Sequence, residues 1–173
     1  MNLPNQLTIL RVLLIPVFVA SLFVGYRYTA ISVFVIASAT DWLDGFVARK
    51  YHLVTDFGKF MDPLADKLLV AAALISMVEL AMLPAWIVII IISREFIITG
   101  FRLVAAGRNV VIAAGMLGKF KTVVQVVMIV YLLIGYSGFV ADVLIWAVVI
   151  LTVLSALEYL FKNRHVLEGI NER

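Results

Sequence analysis

Six apolar runs of roughly twenty residues, separated by connections of only a few residues, leave this chain almost no architecture other than antiparallel helices in a bilayer. The runs fall at about 7–26, 29–49, 60–82, 85–107, 114–136 and 139–161. They predict an all-α integral membrane protein, a bundle of six transmembrane helices with a short N-terminal interfacial segment over Asn2 to Arg11. With 64% apolar and 14% charged residues and a mean hydropathy of +1.11, an ordinary water-soluble domain is excluded. The 173 residues are expected to form one membrane domain, 1–173, with no repeat and no appended soluble part.

Gly25 to Tyr28, Met82 to Ala85 and Gly135 to Gly138 read as tight turns, Pro84 suiting the first turn of a helix. The other connections carry the charge. With the N-terminus inside, Arg11, Arg49, Lys50, Lys59, Lys67, Arg94, Arg102, Arg108, Lys119, Lys121, Lys162, Arg164 and Arg173 lie toward the cytoplasmic side, leaving Arg27 opposite. This asymmetry predicts a multi-pass protein of the cell inner (cytoplasmic) membrane, its polar end facing the cytoplasm. The opening Met-Asn-Leu-Pro-Asn-Gln lacks a basic leader, so the first helix is expected to be retained. Cysteine is absent, which removes disulfides and thiolate metal sites.

Against this apolar background stand four carboxylates: Asp41 and Asp44 in D-W-L-D-G-F-V-A-R, then Asp62 and Asp66 in G-K-F-M-D-P-L-A-D. Acidic side chains at membrane depth are costly and mark functional positions. On a helix, Asp44, Gly45 and Ala48 fall within about 60° of Asp41, with Arg49 at the edge of that stripe. Gly58, Asp62, Ala65 and Asp66 form one face of the next helix, the two carboxylates ~6 Å apart along its axis. A turn over about 50–57 would bring both faces together. Four negative charges need compensating cations to share a dehydrated pocket. An oxygen-only donor set favours Mg²⁺ or Mn²⁺, with two ions able to bridge phosphate oxygens. Gly45, Ala48 and Gly58 leave room for a pyrophosphate to approach the backbone.

These residues match D-x-x-D-G-x-x-A-R, eight residues, G-x-x-x-D-x-x-x-D at every fixed position, and so the chain resembles the CDP-alcohol phosphotransferase family. The resemblance implies a six-helix membrane enzyme, a cytoplasmic active site and a homodimer. It also implies attack of an alcohol on the β-phosphorus of a CDP-linked lipid, with release of CMP. Carried over by position, Asp41, Asp44, Asp62 and Asp66 resemble metal ligands, and Asp66 also the general base. Asn5, Thr8, Asp41, Gly45, Ala48, Arg49 and Gly58 resemble the cytidine diphosphate contacts.

Two later segments, S-R-E-F-I-I-T-G-F-R from Ser93 to Arg102 and G-K-F-K-T from Gly118 to Thr122, are too polar for lipid-facing sequence. Their cations suit an anionic acceptor. With the opening N-L-P-N-Q-L-T-I-L-R, they resemble the branch of the family that uses CDP-diacylglycerol and sn-glycerol 3-phosphate, in phospholipid biosynthesis. Arg94, Arg102, Lys119 and Thr122 are the expected contacts to the acceptor phosphate, and Glu95 is expected to orient a neighbouring arginine. Inositol phosphate, serine or phosphatidylglycerol as acceptor, or a cation channel or carrier built on the acidic cluster, are the alternative readings. No nucleic-acid partner is expected. Glu79 and Glu158 read as solvated helix-end residues, His52 and His165 as interfacial, and Trp42, Trp86 and Trp146 as belt or interhelical packing.

Overall fold

A computed structural model describes residues 3–51, 56–107, 112 and 115–163, and of these the side chains other than those of 3–7, 41–51, 56–63 and 66. Six helices and no strand lie among the described residues: α1 (Leu3–Phe23), α2 (Arg27–Tyr51), α3 (Asp56–Glu79), α4 (Ala85–Gly107), α5 (Met116–Ile134) and α6 (Phe139–Lys162). The expected runs and the helices agree to within a few residues. Two differences are informative. The opening segment is no separate element, because Leu3 already belongs to α1, which continues through Pro16 to Phe23. And α3 begins at Asp56, four residues before the expected run, so Asp56 and Phe57 belong to the helix rather than to the turn, while Gly58 is helical as its place on that face required.

The chain divides into two compact units, 1–83 with 133–135, and 84–132 with 136–173. In the first, α1 packs on α2 and α3, and α2 on α3. The stripe Thr8, Arg11, Phe18 and Leu22 repeats at helical spacing and is buried, facing Ala30, Phe34 and Ala37 of α2 and Ala65, Leu69, Ala73 and Met77 of α3. Alanines at 30, 37, 65 and 73 allow close backbone approach, and Phe18 meets Phe34 with ring centroids 5.8 Å apart. Ser32 and Thr40 donate to carbonyls one turn back, at Tyr28 and Ile36, which satisfies their hydroxyls inside an apolar helix.

The turns are set by local chemistry. Gly25 takes φ 92 after α1, and the Tyr26 amide donates to Ser21 O at 2.9 Å, closing the helix end. The α3 terminus uses the same device with Ala81 at φ 55, where the Met82 amide donates to Met77 O at 2.8 Å. Gly135 and Gly138, at φ 96 and 93, form the turn before α6.

In the second unit α4 and α6 run parallel, since Trp86 meets Trp146, Arg94 meets Ser155 and Phe101 meets Tyr159 at a nearly constant offset of about sixty residues. The buried stripe of α5 is Lys121, Gln125, Met128, Ile129 and Leu132. That of α6 is Ala141, Val148, Thr152, Ser155 and Tyr159.

Large apolar side chains cover the outside: Leu13, Ile36, Ile75, Ile89, Val123 and Ile150 are each more than half exposed. Helices α5 and α6 are long and apolar enough to cross a membrane, with only 33% and 28% of their apolar windows buried. A soluble core helix would be mostly buried, so these surfaces fit acyl chains. Every 18-residue window of α4 holds Arg94, Glu95 and Arg102, so it falls short of that apolar standard despite its 23 residues.

Candidate active site

The first unit carries the acidic positions. Asp41 and Asp44 stand three residues apart on α2, Asp62 and Asp66 four apart on α3, and each spacing puts its pair on one helix face. Since α2 and α3 touch and only four residues link them, the end of α2 and the start of α3 lie at the same end of this unit. The side chains of Asp41, Asp44, Asp62 and Asp66 lie outside the described residues, as do those of Asn5, Gly45, Ala48, Arg49 and Gly58 among the expected nucleotide contacts. Chemically, four carboxylates with no thiolate suit a hard divalent cation better than zinc or copper. Thr8, the remaining nucleotide candidate, is buried in α1 one turn before the equally buried Arg11.

A polar network occupies the second unit, joining the middle of α4 to the first turns of α5 and the later turns of α6. Arg94 Nη1 donates to Glu95 Oε1 at 3.2 Å, and Lys121 Nζ donates to the same oxygen. Arg94 Nη2 donates to Ser155 Oγ at 3.1 Å. Ser155 Oγ in turn donates to Thr152 O at 3.2 Å, so its lone pairs face the guanidinium. The Lys121 side chain is 1% exposed, those of Arg94 and Glu95 12% and 15%. Charges taken this far from water survive only when paired and hydrogen-bonded.

Gly118 belongs to this arrangement, because a Cβ there would stand 3.2 Å from Arg94 Nη2. The missing side chain lets the guanidinium lie against α5. Tyr159 packs edge-on against Phe101, centroids 5.8 Å apart.

Of the four expected acceptor contacts, Arg94 is in the network and Arg102 is exposed on α4 near Tyr159. Lys119 and Thr122 are exposed on α5, where Thr122 Oγ1 donates to Gly118 O at 3.0 Å. Glu95 does orient its neighbouring arginine. Lys121, Ser155 and Tyr159 were not among the expected site residues. The signal for Lys121 was its place in the stripe with Gln125, Met128 and Leu132, where an apolar residue would otherwise stand. Glu79 and Glu158 are exposed, as expected. Trp86 and Trp146 pack on each other with ring centroids 6.0 Å apart and planes tilted by 51°, in line with the packing reading, and both stay about half exposed. The side chain of Trp42 lies outside the described residues, as do His52 and His165.

The family comparison takes the six helices and the aspartate spacing one step further: residues 1–154 match the CDP-alcohol phosphatidyltransferase family, and the chain belongs to it. Its relatives narrow the class. It is 46% identical, over 98% of its length and 99% of the relative's, to the CDP-diacylglycerol–glycerol-3-phosphate 3-phosphatidyltransferase of Bacillus subtilis (strain 168). Proteins of the same name from Haemophilus influenzae and Rickettsia felis are 41% and 35% identical, over 92% and 91% of this chain and 91% and 93% of theirs.

Proposed function

We propose that this protein transfers the phosphatidyl group of CDP-diacylglycerol to sn-glycerol 3-phosphate, giving phosphatidylglycerophosphate and CMP. The carrying observation is the 46% identity to a relative of that name, over almost the full length of both chains. In the reaction a glycerol hydroxyl oxygen forms a bond to the β-phosphorus, the one bearing diacylglycerol. The bond from that phosphorus to the bridging oxygen breaks, and CMP leaves with the electron pair. Asp66 takes the hydroxyl proton, which requires a carboxylate kept ionised by neighbouring positive charge. Asp41, Asp44, Asp62 and Asp66 would hold Mg²⁺ or Mn²⁺, two ions in our reading, which when bound neutralise the pyrophosphate and the developing charge on the leaving group. Asn5, Thr8, Gly45, Ala48, Arg49 and Gly58 hold the cytidine diphosphate. Arg94 and Arg102, with Lys119 and Thr122, attract and hold the acceptor phosphate.

The six helices are read as six spans in the cytoplasmic membrane, and residues 1–173 as one membrane domain. The turns after α1, α3 and α5 hold no Lys or Arg, and Arg27 at the start of α2 is the one cation beside them, which supports a cytoplasmic active site. The homodimer is proposed from membership of the family.

An acceptor panel tests the reading. Purified protein with CDP-diacylglycerol and metal should release CMP with sn-glycerol 3-phosphate, and not with inositol phosphate, serine or phosphatidylglycerol. Preference for any of the other three would move the protein to another branch of the family. Metal flux through proteoliposomes without CMP release would reject the enzyme reading.

A further inference from the structure

Two buried donors in the second unit have no hydrogen-bond partner among the described residues: the Tyr159 hydroxyl and Arg94 Nε. Tyr159 is 6% exposed, so water does not readily serve its hydroxyl. An unmet polar group at this depth costs free energy, and more so in a bilayer. The two belong to one packed pair of helices, for Arg94 is bonded to Ser155, one turn before Tyr159 on α6. Arg102 follows Phe101, whose ring packs on that of Tyr159. Both orphan groups can donate, and one of them belongs to a guanidinium cation. What completes such a place is a group rich in acceptors and negatively charged.

The neighbouring contacts explain why these donors stay available. Glu95 and Ser155 hold the two terminal nitrogens of Arg94, Gly118 gives the fork its space, and the Phe101 ring fixes that of Tyr159. The donors are therefore set before any ligand arrives, which lowers the ordering cost of binding.

We infer that the Tyr159 hydroxyl, together with Arg94 Nε, donates to the phosphate of the acceptor, making Tyr159 a specificity residue for a phosphorylated alcohol. This rests on the acceptor reading above and adds to it a residue from α6 that the motifs do not contain.

Tyr159→Phe removes one oxygen and keeps the ring on Phe101. In purified protein in detergent, the KM for sn-glycerol 3-phosphate should rise about tenfold or more, as expected for a lost hydrogen bond to a charged group. The kcat at saturating acceptor and the KM for CDP-diacylglycerol should stay within twofold of the parent. Inhibition by inorganic phosphate, competitive with the acceptor, should weaken in parallel, a readout that a packing role would not move. An unchanged acceptor KM would overturn the proposal. So would a loss of kcat with a lower melting temperature and unchanged phosphate inhibition, which assigns Tyr159 to packing. Parent protein that ignores glycerol 3-phosphate would instead overturn the acceptor reading; phosphate protection against thermal unfolding, lost in Tyr159→Phe, would then still support the anion site, and equal protection in both would overturn it.

Discussion

Replacing Glu95 by Gln removes one negative charge from the polar network without changing its shape. Glu95 Oε1 accepts from both Arg94 Nη1 and Lys121 Nζ, and the Lys121 side chain is 1% exposed. Breaking a buried pair by neutralising one partner costs about 3–5 kcal/mol. Two features lower that figure here. The Gln carbonyl can still accept one hydrogen bond, and the 15% exposure of Glu95 admits some solvent. We therefore expect a loss of about 2–3 kcal/mol, which for a chain of this size lowers the melting temperature by roughly 4–12 °C. Thermal unfolding in detergent reads it directly. The paired variant Glu95→Gln with Lys121→Met should be less damaged than the sum of the two single changes, with a coupling of at least about 1 kcal/mol. A fall under about 2 °C for Glu95→Gln, or strict additivity in the pair, would refute the view that this carboxylate holds the buried lysine.

Asp66→Asn should lower CMP release by about a thousandfold or more while CDP-diacylglycerol still binds, since it removes the proposed proton acceptor and keeps the size; parental turnover would remove Asp66 from that role. Ala81→Gly should stabilise the chain by about 0.5–1 kcal/mol, because Ala81 holds φ 55 where glycine is unstrained. A rise of roughly 1–4 °C in melting temperature checks this, and a fall would contradict it.

Helix positions were legible because apolar runs and Gly/Pro punctuation are local signals. The α3 start was missed by four residues because the apolar run begins at Phe60 and Asp56 reads as the end of the turn, although Asp at a helix start is favourable. The motif aspartates were legible for a similar reason, since spacings of three and four fix a face without knowledge of the partner helix. The second polar site was legible only in its charges. Choosing Lys119 over Lys121 requires knowing which face of α5 is buried, and the two positions point about 160° apart. The Arg94–Ser155 bond joins residues 61 apart, and the Phe101–Tyr159 contact spans a similar distance, so no local pattern announces either. Tyr159 stands in the sequence as one aromatic in an apolar helix, and no local pattern marks a hydroxyl that has no partner among the described residues.

The most direct test of the account is CMP release by the purified protein from CDP-diacylglycerol and sn-glycerol 3-phosphate, measured with a chelator and then with Mg²⁺ or Mn²⁺ restored. The account predicts no turnover in chelator, recovery with either ion, and no recovery in Asp41→Asn or Asp62→Asn. Metal-independent turnover, or full recovery in those variants, would contradict it.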